Sequence, residues 1–194
     1  MPSCPALILT GGSSSRFGRE KLLAPLHGAR LVDRVISVVS SLGLEVFEAG
    51  RGYSDFTQIP NTEGSNPLRA IAIAWSTICE SQRAAAQSLM VISGDLANID
   101  SETLRFMISF PGQFSVVPND GSLQPLCARW ASDALERAVA IANKTEVSAV
   151  RAALGINQVT WTDTKWRNPG VISPFFDVDT IEDLEILSQV EEDR

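Results

Sequence analysis

Short apolar runs that alternate with segments of helical periodicity constrain the fold of this 194-residue chain more than any other feature. The clearest runs, Ala6–Leu9 and Ser88–Ser93, are each followed by a glycine-containing turn. Between them, Leu31–Leu42 carries apolar residues at helical spacing, and Gly43 ends that segment. Such alternation predicts a three-layer α/β fold with a mainly parallel sheet.

The rest of the chain continues this pattern and predicts a single domain over residues 1–194. Further strands are predicted over Leu44–Ala49, Phe114–Pro118, Leu123–Trp130, Ile156–Trp161 and Phe175–Val178. Further helices are predicted over Leu68–Ile78, Ser101–Ser109, Ala131–Ala142, Ser148–Leu154 and Thr180–Val190. Ligands of such sheets bind beyond the carboxyl ends of the strands, so the turns after Leu9 and Ser93 are the first candidate site.

Charge and composition exclude several classes of protein. The net charge of −7 argues against broad nucleic-acid binding, and no apolar run approaches the roughly 20 residues that a membrane span needs. Cys4, Cys79 and Cys127 are widely spaced and form no CxxC pair, and the N-terminus resembles no signal peptide, so a cytoplasmic location is expected. Because His27 is the single histidine, a catalytic triad or metal site built on any other histidine is excluded.

The stretch ILTGGSSSRFGREK, residues 8–21, has the composition of an anion-binding loop. Glycines allow backbone N–H groups to approach a ligand, while Arg16 and Lys21 add positive charge. A Gly/Ser-rich surface turn is the alternative. Neither common phosphate-loop motif, GxxxxGK[ST] or GxGxxG, is present, but the longer pattern L-x-G-G-x-S-x-R-x-G-x-x-K has many fixed positions and is far more specific than two adjacent glycines.

This stretch closely resembles the signature of molybdenum cofactor guanylyltransferases and of the wider family of nucleotidyltransferases that make diphosphate links. Later segments resemble further elements of the family in the same order: NPLRAIAIA from Asn66, ISGDLANI from Ile92, QPLCARW from Gln124 and FFDVDTIEDL from Phe175. The resemblance spans most of the chain and implies a Rossmann-like α/β sandwich of the nucleotide-diphospho-sugar transferase type. Ala97 replaces the proline of the family's Asp-x-Pro element, Phe17 replaces its usual Met, and residues 45–66 match poorly.

The resemblance also implies an activity. The expected reaction transfers GMP from GTP to the phosphate of molybdopterin cofactor, with Mg²⁺ as cofactor and with release of pyrophosphate. GTP and molybdopterin cofactor are then the small-molecule partners, and accessory proteins of cofactor insertion stay open. A related cytidylyltransferase or sugar-phosphate nucleotidyltransferase, and a non-catalytic nucleotide-binding regulator, remain alternatives, and Ala97 keeps the last of these open.

The resemblance assigns the nucleotide site to Leu9, Thr10, Gly11, Gly12, Ser13, Ser14, Lys21, Asn61, Pro67, Leu68 and Asp95. Arg16, Lys21 and Asp95 are the expected catalytic residues. Two polyanions must meet, so Arg16 and Lys21 would neutralise the triphosphate and the departing pyrophosphate. The attacking phosphate is already an anion near neutral pH, because its second pKa is about 6, and no catalytic histidine is needed.

Three carboxylates are candidate ligands of Mg²⁺. Asp95 ends a strongly apolar strand, where a carboxylate has no packing use, although a turn or N-cap role is the alternative. Asp177 and Asp179 would point to the same side of an extended strand. Their alternative role is to stabilise the N-terminus of the following helix, where Thr180-Ile-Glu-Asp183 resembles a capping box, and both roles can coexist.

Overall fold

The computed structural model describes residues 4–11, 17, 20–63, 66–82, 86–143, 148–168 and 170–192. Four of the predicted site residues, Gly12, Ser13, Ser14 and Arg16, lie outside the described residues. No helix within the described ranges is both long and apolar enough to cross a membrane.

The described residues form a seven-stranded sheet and a separate two-stranded hairpin. The sheet strands are β1 (Ala6–Leu9), β4 (Val46–Ala49), β5 (Thr57–Gln58), β6 (Ser88–Ser93), β7 (Ser115–Pro118), β8 (Cys127–Ala131) and β9 (Gln158–Trp161). The hairpin strands are β2 (Pro25–Leu26) and β3 (Ala29–Arg30). The strand order is β5-β4-β1-β6-β8-β7-β9, and β8 alone among these strands runs antiparallel to its sheet neighbours. The predicted, mainly parallel sheet is confirmed.

Helices cover both faces of this sheet. They are α1 (Leu31–Ser40), α2 (Pro67–Gln82), α3 (Ser101–Ser109), α4 (Ser132–Ala140), α5 (Ser148–Leu154) and α6 (Ile181–Glu192). Leu7 and Leu9 of β1 pack in one apolar cluster with α2, α4 and α5, whereas Ala6 and Ile8 pack in another with α1 and α3. Successive residues of a strand point to opposite faces, so this division produces the predicted three layers.

A third, smaller apolar cluster holds the loops at the carboxyl edge of the sheet. Phe17 of the signature stretch packs there with Ala97, Val178 and Leu187. The cluster therefore joins the signature stretch, the turn after Asp95 and the segment that leads into α6, and these segments carry most of the predicted site residues.

Most predicted elements agree with the structure, and β1, β6, α3 and α5 agree to the residue. The predicted strand over Phe175–Val178 is wrong, because that segment is assigned to no strand. Phe175 and Val178 are buried, but each enters a different apolar cluster, so they anchor a loop that crosses the edge of the sheet. A short apolar run does not by itself distinguish a strand from a buried loop.

Candidate active site

The carboxyl ends of β1 and β6 lie side by side and bring two predicted motifs together. The backbone N–H of Gly94 donates to the carbonyl of Leu9 at 2.9 Å. A Cβ atom on Gly94 would lie 3.0 Å from that carbonyl oxygen, so the small residue permits the close approach. Asp95, the next residue, is thereby placed beside Thr10 and Gly11 at the start of the signature stretch.

Lys21 is the centre of the site. It begins a short 3₁₀ helix over Lys21–Leu23, and its Nζ lies 2.6 Å from Asp95 Oδ2 and 2.8 Å from Asp179 Oδ1. Burial alone would lower the pKa of Lys21, but the charges and hydrogen bonds of Asp95 and Asp179 outweigh it and raise the pKa above its usual value. Lys21 is therefore an ammonium ion held between two carboxylates from separate motifs.

Asp179 is not the residue that caps α6. The carboxylate of Asp183 accepts hydrogen bonds from the Thr180 N–H at 2.7 Å, the Thr180 hydroxyl at 2.8 Å and the Asp179 N–H at 3.0 Å. The Asp183 N–H donates to the Thr180 hydroxyl in return, which gives the capping box expected from the sequence. Because Asp183 satisfies this helix end, the carboxylate of Asp179 is directed instead to Lys21.

Asp177 lies near the same charges but has a different environment. Enclosure by protein and repulsion from Asp95 and Asp179 raise its pKa to about 7, although Lys21 acts in the opposite direction. The residue as a whole is nonetheless exposed to solvent, so the protein encloses this carboxylate only in part. No described residue donates a hydrogen bond to this carboxylate or pairs with it. Asp177 is thus a carboxylate without a protein cation of its own.

Two cavities meet at Asp95. The smaller, about 180 Å³, is lined by Leu9, Thr10, Gly11, Glu20 and Lys21. The larger, about 430 Å³, is lined by the start of α2, by the loop before β8, by Asp177 and by Arg151. Pro67, Ser93, Asp95 and Leu126 line both. We call the smaller cavity the signature compartment of the cleft, and the larger cavity the hairpin compartment, after the loop that connects the antiparallel strands β7 and β8; the β2–β3 hairpin does not line it.

The turn after Asp95 forms although Ala97 stands where the family carries proline. The Ala97 N–H donates to the carbonyl of Asp95 at 2.9 Å, a hydrogen bond that proline cannot make. Arg34 Nε donates to the carbonyl of Ala97 at 3.2 Å. Ala97 is itself buried, so the turn that carries Asp95 is held by backbone hydrogen bonds and packing without the proline.

The described residues that are predicted to bind the nucleotide divide between the two compartments, and one of them lies in neither. Leu9, Thr10, Gly11, Lys21 and Asp95 line the signature compartment, and Pro67 and Leu68 line the hairpin compartment. Asn61 lines neither of these cavities. Its backbone has a φ of +59°, which Asn tolerates better than most residues, and its role in nucleotide binding stays a prediction.

Two site residues carry no motif and were missed by reasoning from the sequence. Arg151 on α5 lines the hairpin compartment, and its side chain makes no hydrogen bond or ion pair with the described residues. Glu48 at the carboxyl end of β4 is buried and accepts a hydrogen bond from the Thr10 hydroxyl at 2.6 Å. The one sequence signal for Glu48 is that a glutamate stands inside the apolar run of β4, since a buried carboxylate needs hydrogen-bonding partners.

The carboxylates of Asp95, Asp177 and Asp179 suit a magnesium ion that takes only one or two of its ligands from the protein. Over the described part of the chain, no three His, Cys, Asp or Glu side chains converge closely enough to enclose a metal ion. Mg²⁺ prefers oxygen ligands and is commonly held by one or two carboxylates together with water and substrate phosphates. Asp95 and Asp179, which both contact Lys21, and the nearby Asp177 supply oxygen donors of the kind that this arrangement uses.

Comparison with known proteins gives consistent matches. A family model described as the MobA-like NTP transferase domain matches residues 6–159. A probable molybdenum cofactor guanylyltransferase of Aquifex aeolicus is 25% identical over 131 residues, which cover 67% of this chain and 65% of that protein. A molybdenum cofactor guanylyltransferase of Acidiphilium cryptum is 26% identical over 194 residues, which cover 93% and 91% of the two chains.

The fold also matches solved structures over nearly its whole length. Molybdopterin-guanine dinucleotide biosynthesis protein A from Archaeoglobus fulgidus superposes with a TM-score of 0.72 at 20% identity. The superposition covers 98% of this chain and 100% of the other. At this identity the likeness concerns the fold, and it agrees with the three-layer architecture described above.

Proposed function

This chain belongs to the MobA-like NTP transferase domain family of nucleotidyltransferases, and from that premise we propose that it transfers GMP from GTP to the phosphate of molybdopterin cofactor. Relatives named for that reaction, which align over up to 93% of the chain, support the choice of substrates. The observation that carries the proposal is the position of Lys21 between Asp95 and Asp179, since it joins three separate motifs beside two cavities.

The cleft divides naturally between the two substrates. We assign the triphosphate to the signature compartment, because the N–H groups and charge of the signature stretch suit a polyanion. The acceptor then occupies the hairpin compartment, with its phosphate directed toward the shared wall at Asp95. An acceptor phosphate oxygen attacks the α-phosphorus, a new P–O bond forms, and the bond to the β-phosphate oxygen breaks to release pyrophosphate.

Residues of this chain would supply positioning and charge rather than a base. Lys21 would exchange its carboxylate partners for phosphate oxygens and stabilise the negative charge of the transition state. Arg16, which lies outside the described residues, would act on the same phosphates. Asp95, with Asp177 or Asp179, would hold Mg²⁺, which when bound neutralises phosphate charge and orients the α-phosphate for in-line attack.

The acceptor half of the cleft has its own cation in Arg151. The chain is acidic overall, yet this guanidinium lines the hairpin compartment without a carboxylate partner among the described residues. Gln124, from the loop before β8, lines the same space and donates to Asp120 Oδ1 at 3.0 Å. Asp120 in turn accepts from the hydroxyl of Ser173, so this wall is tied to the segment that carries Asp177. Arg151 would bind an anionic or carbonyl group of the acceptor.

Guanine is the base we expect to be preferred over cytosine. The family resemblance motivates this choice: the cytidylyl relatives tend to carry alanine where this chain has Gly12, and glycine is the smaller residue beside a purine. Pro67 and Leu68, which follow the guanylyl pattern, line the cleft. Tighter binding of CTP than of GTP in a direct titration would overturn this assignment.

One assay separates the proposal from its alternatives. The protein is mixed with Mg²⁺, molybdopterin and each nucleoside triphosphate in turn, and pyrophosphate release is measured. Release with GTP supports the proposal, whereas release only with CTP indicates a cytidylyltransferase. Nucleotide binding without release in any mixture supports the non-catalytic alternative and contradicts the proposal.

A further inference from the structure

The loop between β4 and β5, residues 50–56, is folded around the buried side chain of Glu48. Glu48 is 1% exposed, and its carboxylate accepts hydrogen bonds from the Tyr53 N–H at 2.8 Å and the Ser54 N–H at 2.9 Å. The Ser54 hydroxyl and Gln58 Nε2 also donate to it. A buried carboxylate is tolerated when donors surround it in this way, so Glu48 determines the path of the loop.

The same carboxylate holds the start of the signature stretch. The Thr10 hydroxyl donates to Glu48 Oε1 at 2.6 Å and accepts from the Arg51 N–H at 3.2 Å. Thr10 is almost completely buried and lines the signature compartment. Glu48 is therefore connected through a single side chain to the first residues of the expected phosphate loop.

Gly50 lets the loop lie directly on that start. Its φ is +142°, and a Cβ atom at this position would lie 2.4 Å from the Gly11 nitrogen and 2.5 Å from the Thr10 carbonyl carbon. Both the backbone conformation and the close approach require glycine. The loop and the signature stretch are thus packed backbone to backbone.

The loop also contacts the end of the signature stretch. Arg51 forms an ion pair with Glu20, which lines the signature compartment and immediately precedes Lys21. The Tyr53 side chain lies beside both Arg51 and Glu20. The loop therefore bridges Thr10 and Glu20, the described residues at the two ends of the stretch that is expected to hold the triphosphate.

We infer that Glu48 is a positioning residue for the nucleotide: it holds the 50–56 loop against Thr10 and Glu20, which line the signature compartment, and so fixes both ends of the phosphate loop. Its own oxygens are occupied by protein donors, so it acts without contacting the triphosphate. The inference rests on the proposed function only in assigning the nucleotide to this compartment.

Replacement of Glu48 by Gln tests the inference. The amide keeps the shape of the side chain but replaces one acceptor oxygen with a donor, so hydrogen bonds to the loop or to Thr10 are lost. We expect the KM for GTP to rise about tenfold, with the KM for the acceptor unchanged and kcat changed less, since one charge-assisted hydrogen bond is worth about that factor. Thr10→Val, which removes the connecting hydroxyl, should shift the same constant in the same direction.

Arg129→Met is the matched control for loss of stability. Arg129 is also buried in a hydrogen-bond network, in which it donates to the carbonyls of Ile108, Phe110, Gly112 and Phe114, away from the cleft. This variant should lower Tm and leave the KM for GTP unchanged. The inference is overturned if Glu48→Gln behaves in the same way, with a lower Tm and an unchanged KM for GTP.

Failure of the proposed function can be distinguished from failure of the inference about Glu48. If the wild-type protein transferred no nucleotide, the Kd of Mg²⁺-GTP would replace KM, and the same tenfold comparison of Glu48→Gln with wild type would still decide the inference. If Glu48→Gln did not fold, Thr10→Val and Ser54→Ala would be compared with Arg129→Met. Unchanged nucleotide constants in both would overturn the inference.

Discussion

Lys21 is the residue on which the site depends, because its ammonium group is shared by carboxylates from two distant motifs. Its contact with Asp179 joins residues that are 158 positions apart in the chain. Asp95 and Lys21 are both largely shielded from solvent, so their interaction is screened less than a surface pair would be. In the proposed reaction, the phosphate oxygens of the bound triphosphate would compete with these two carboxylates for the ammonium group of Lys21.

Lys21→Ala should lower the turnover of nucleotide transfer by about 10²–10³-fold, the cost of removing one group that stabilises transition-state charge. The fold should persist, because Lys21 belongs to a three-residue helix at the edge of the sheet and its side chain is not part of the three apolar clusters. Circular dichroism and pyrophosphate release measure the two properties. Lys165→Ala, which removes an exposed lysine paired with Asp163, is the control. Near-normal turnover in Lys21→Ala would refute the phosphate-binding role.

Variants of Asp179 and Asp183 should change different properties: activity for Asp179, and the stability of α6 for Asp183. Asp179→Asn should cause a large loss of activity with little change in Tm in the absence of Mg²⁺, because Asp183 satisfies the end of α6. Asp183→Ala should remove the cap, cost about 1 kcal/mol of stability and leave most of the activity. Melting curves and turnover are compared for both. A lower Tm and near-normal turnover in Asp179→Asn would retire its assignment to the metal.

Arg151→Ala should affect the acceptor and not the nucleotide. Loss of one charged hydrogen bond predicts a rise of about tenfold in the KM for the acceptor, with the KM for GTP unchanged. Arg105→Ala is a suitable control, because Arg105 is exposed on α3 and bonds to Ser101 and to the carbonyl of Ser41. Equal changes in both KM values, or no change in either, would contradict a role in acceptor binding.

At the scale of elements, local signals were predictable and loop paths were not. The capping box of α6 was readable because its hydrogen bonds connect residues three or four positions apart. The sequence pattern predicts a strand over the segment before α6, but Phe175 and Val178 are buried because they anchor a loop. No motif or spacing predicts the path of the 50–56 loop, since that path depends on a carboxylate buried in the neighbouring strand.

The 50–56 loop should make stability depend on pH in the acid range. Burial would raise the pKa of Glu48, but hydrogen bonds from Ser54, Thr10 and Tyr53 outweigh it and lower the pKa below its usual value. The unfolded chain then binds the proton more readily, so the stabilisation from Glu48 is present above about pH 4.3, the usual pKa of glutamate, and is lost as the pH falls through the folded-state value. Urea unfolding between neutral and acid pH should show a shallower acid decline in Glu48→Gln than in wild type. Identical declines would contradict this account of the loop.

At the scale of the whole molecule, the topology determines where the motifs meet. Parallel strands β1 and β6 end at the same edge of the sheet, so an alternating pattern was enough to predict that the turns after Leu9 and Ser93 converge. The family resemblance predicts Lys21, Asp95 and Asp179 as site residues, and the fold brings these three side chains into contact. Arg151 and Glu48 could not be found in that way, because lining a cavity and burying a charge are properties of the folded chain rather than of a spacing.

We propose that this cleft joins the α-phosphate of GTP to the phosphate of molybdopterin. The most direct measurement follows radioactive label in the products when the protein is incubated with Mg²⁺, molybdopterin and GTP labelled at either the α- or the γ-phosphate. We predict that α-label appears in the molybdopterin product, that γ-label appears only in pyrophosphate, and that Lys21→Ala lowers both signals by about 10²–10³-fold. Label from the γ-phosphate in the acceptor product, or equal transfer by Lys21→Ala, would contradict the account.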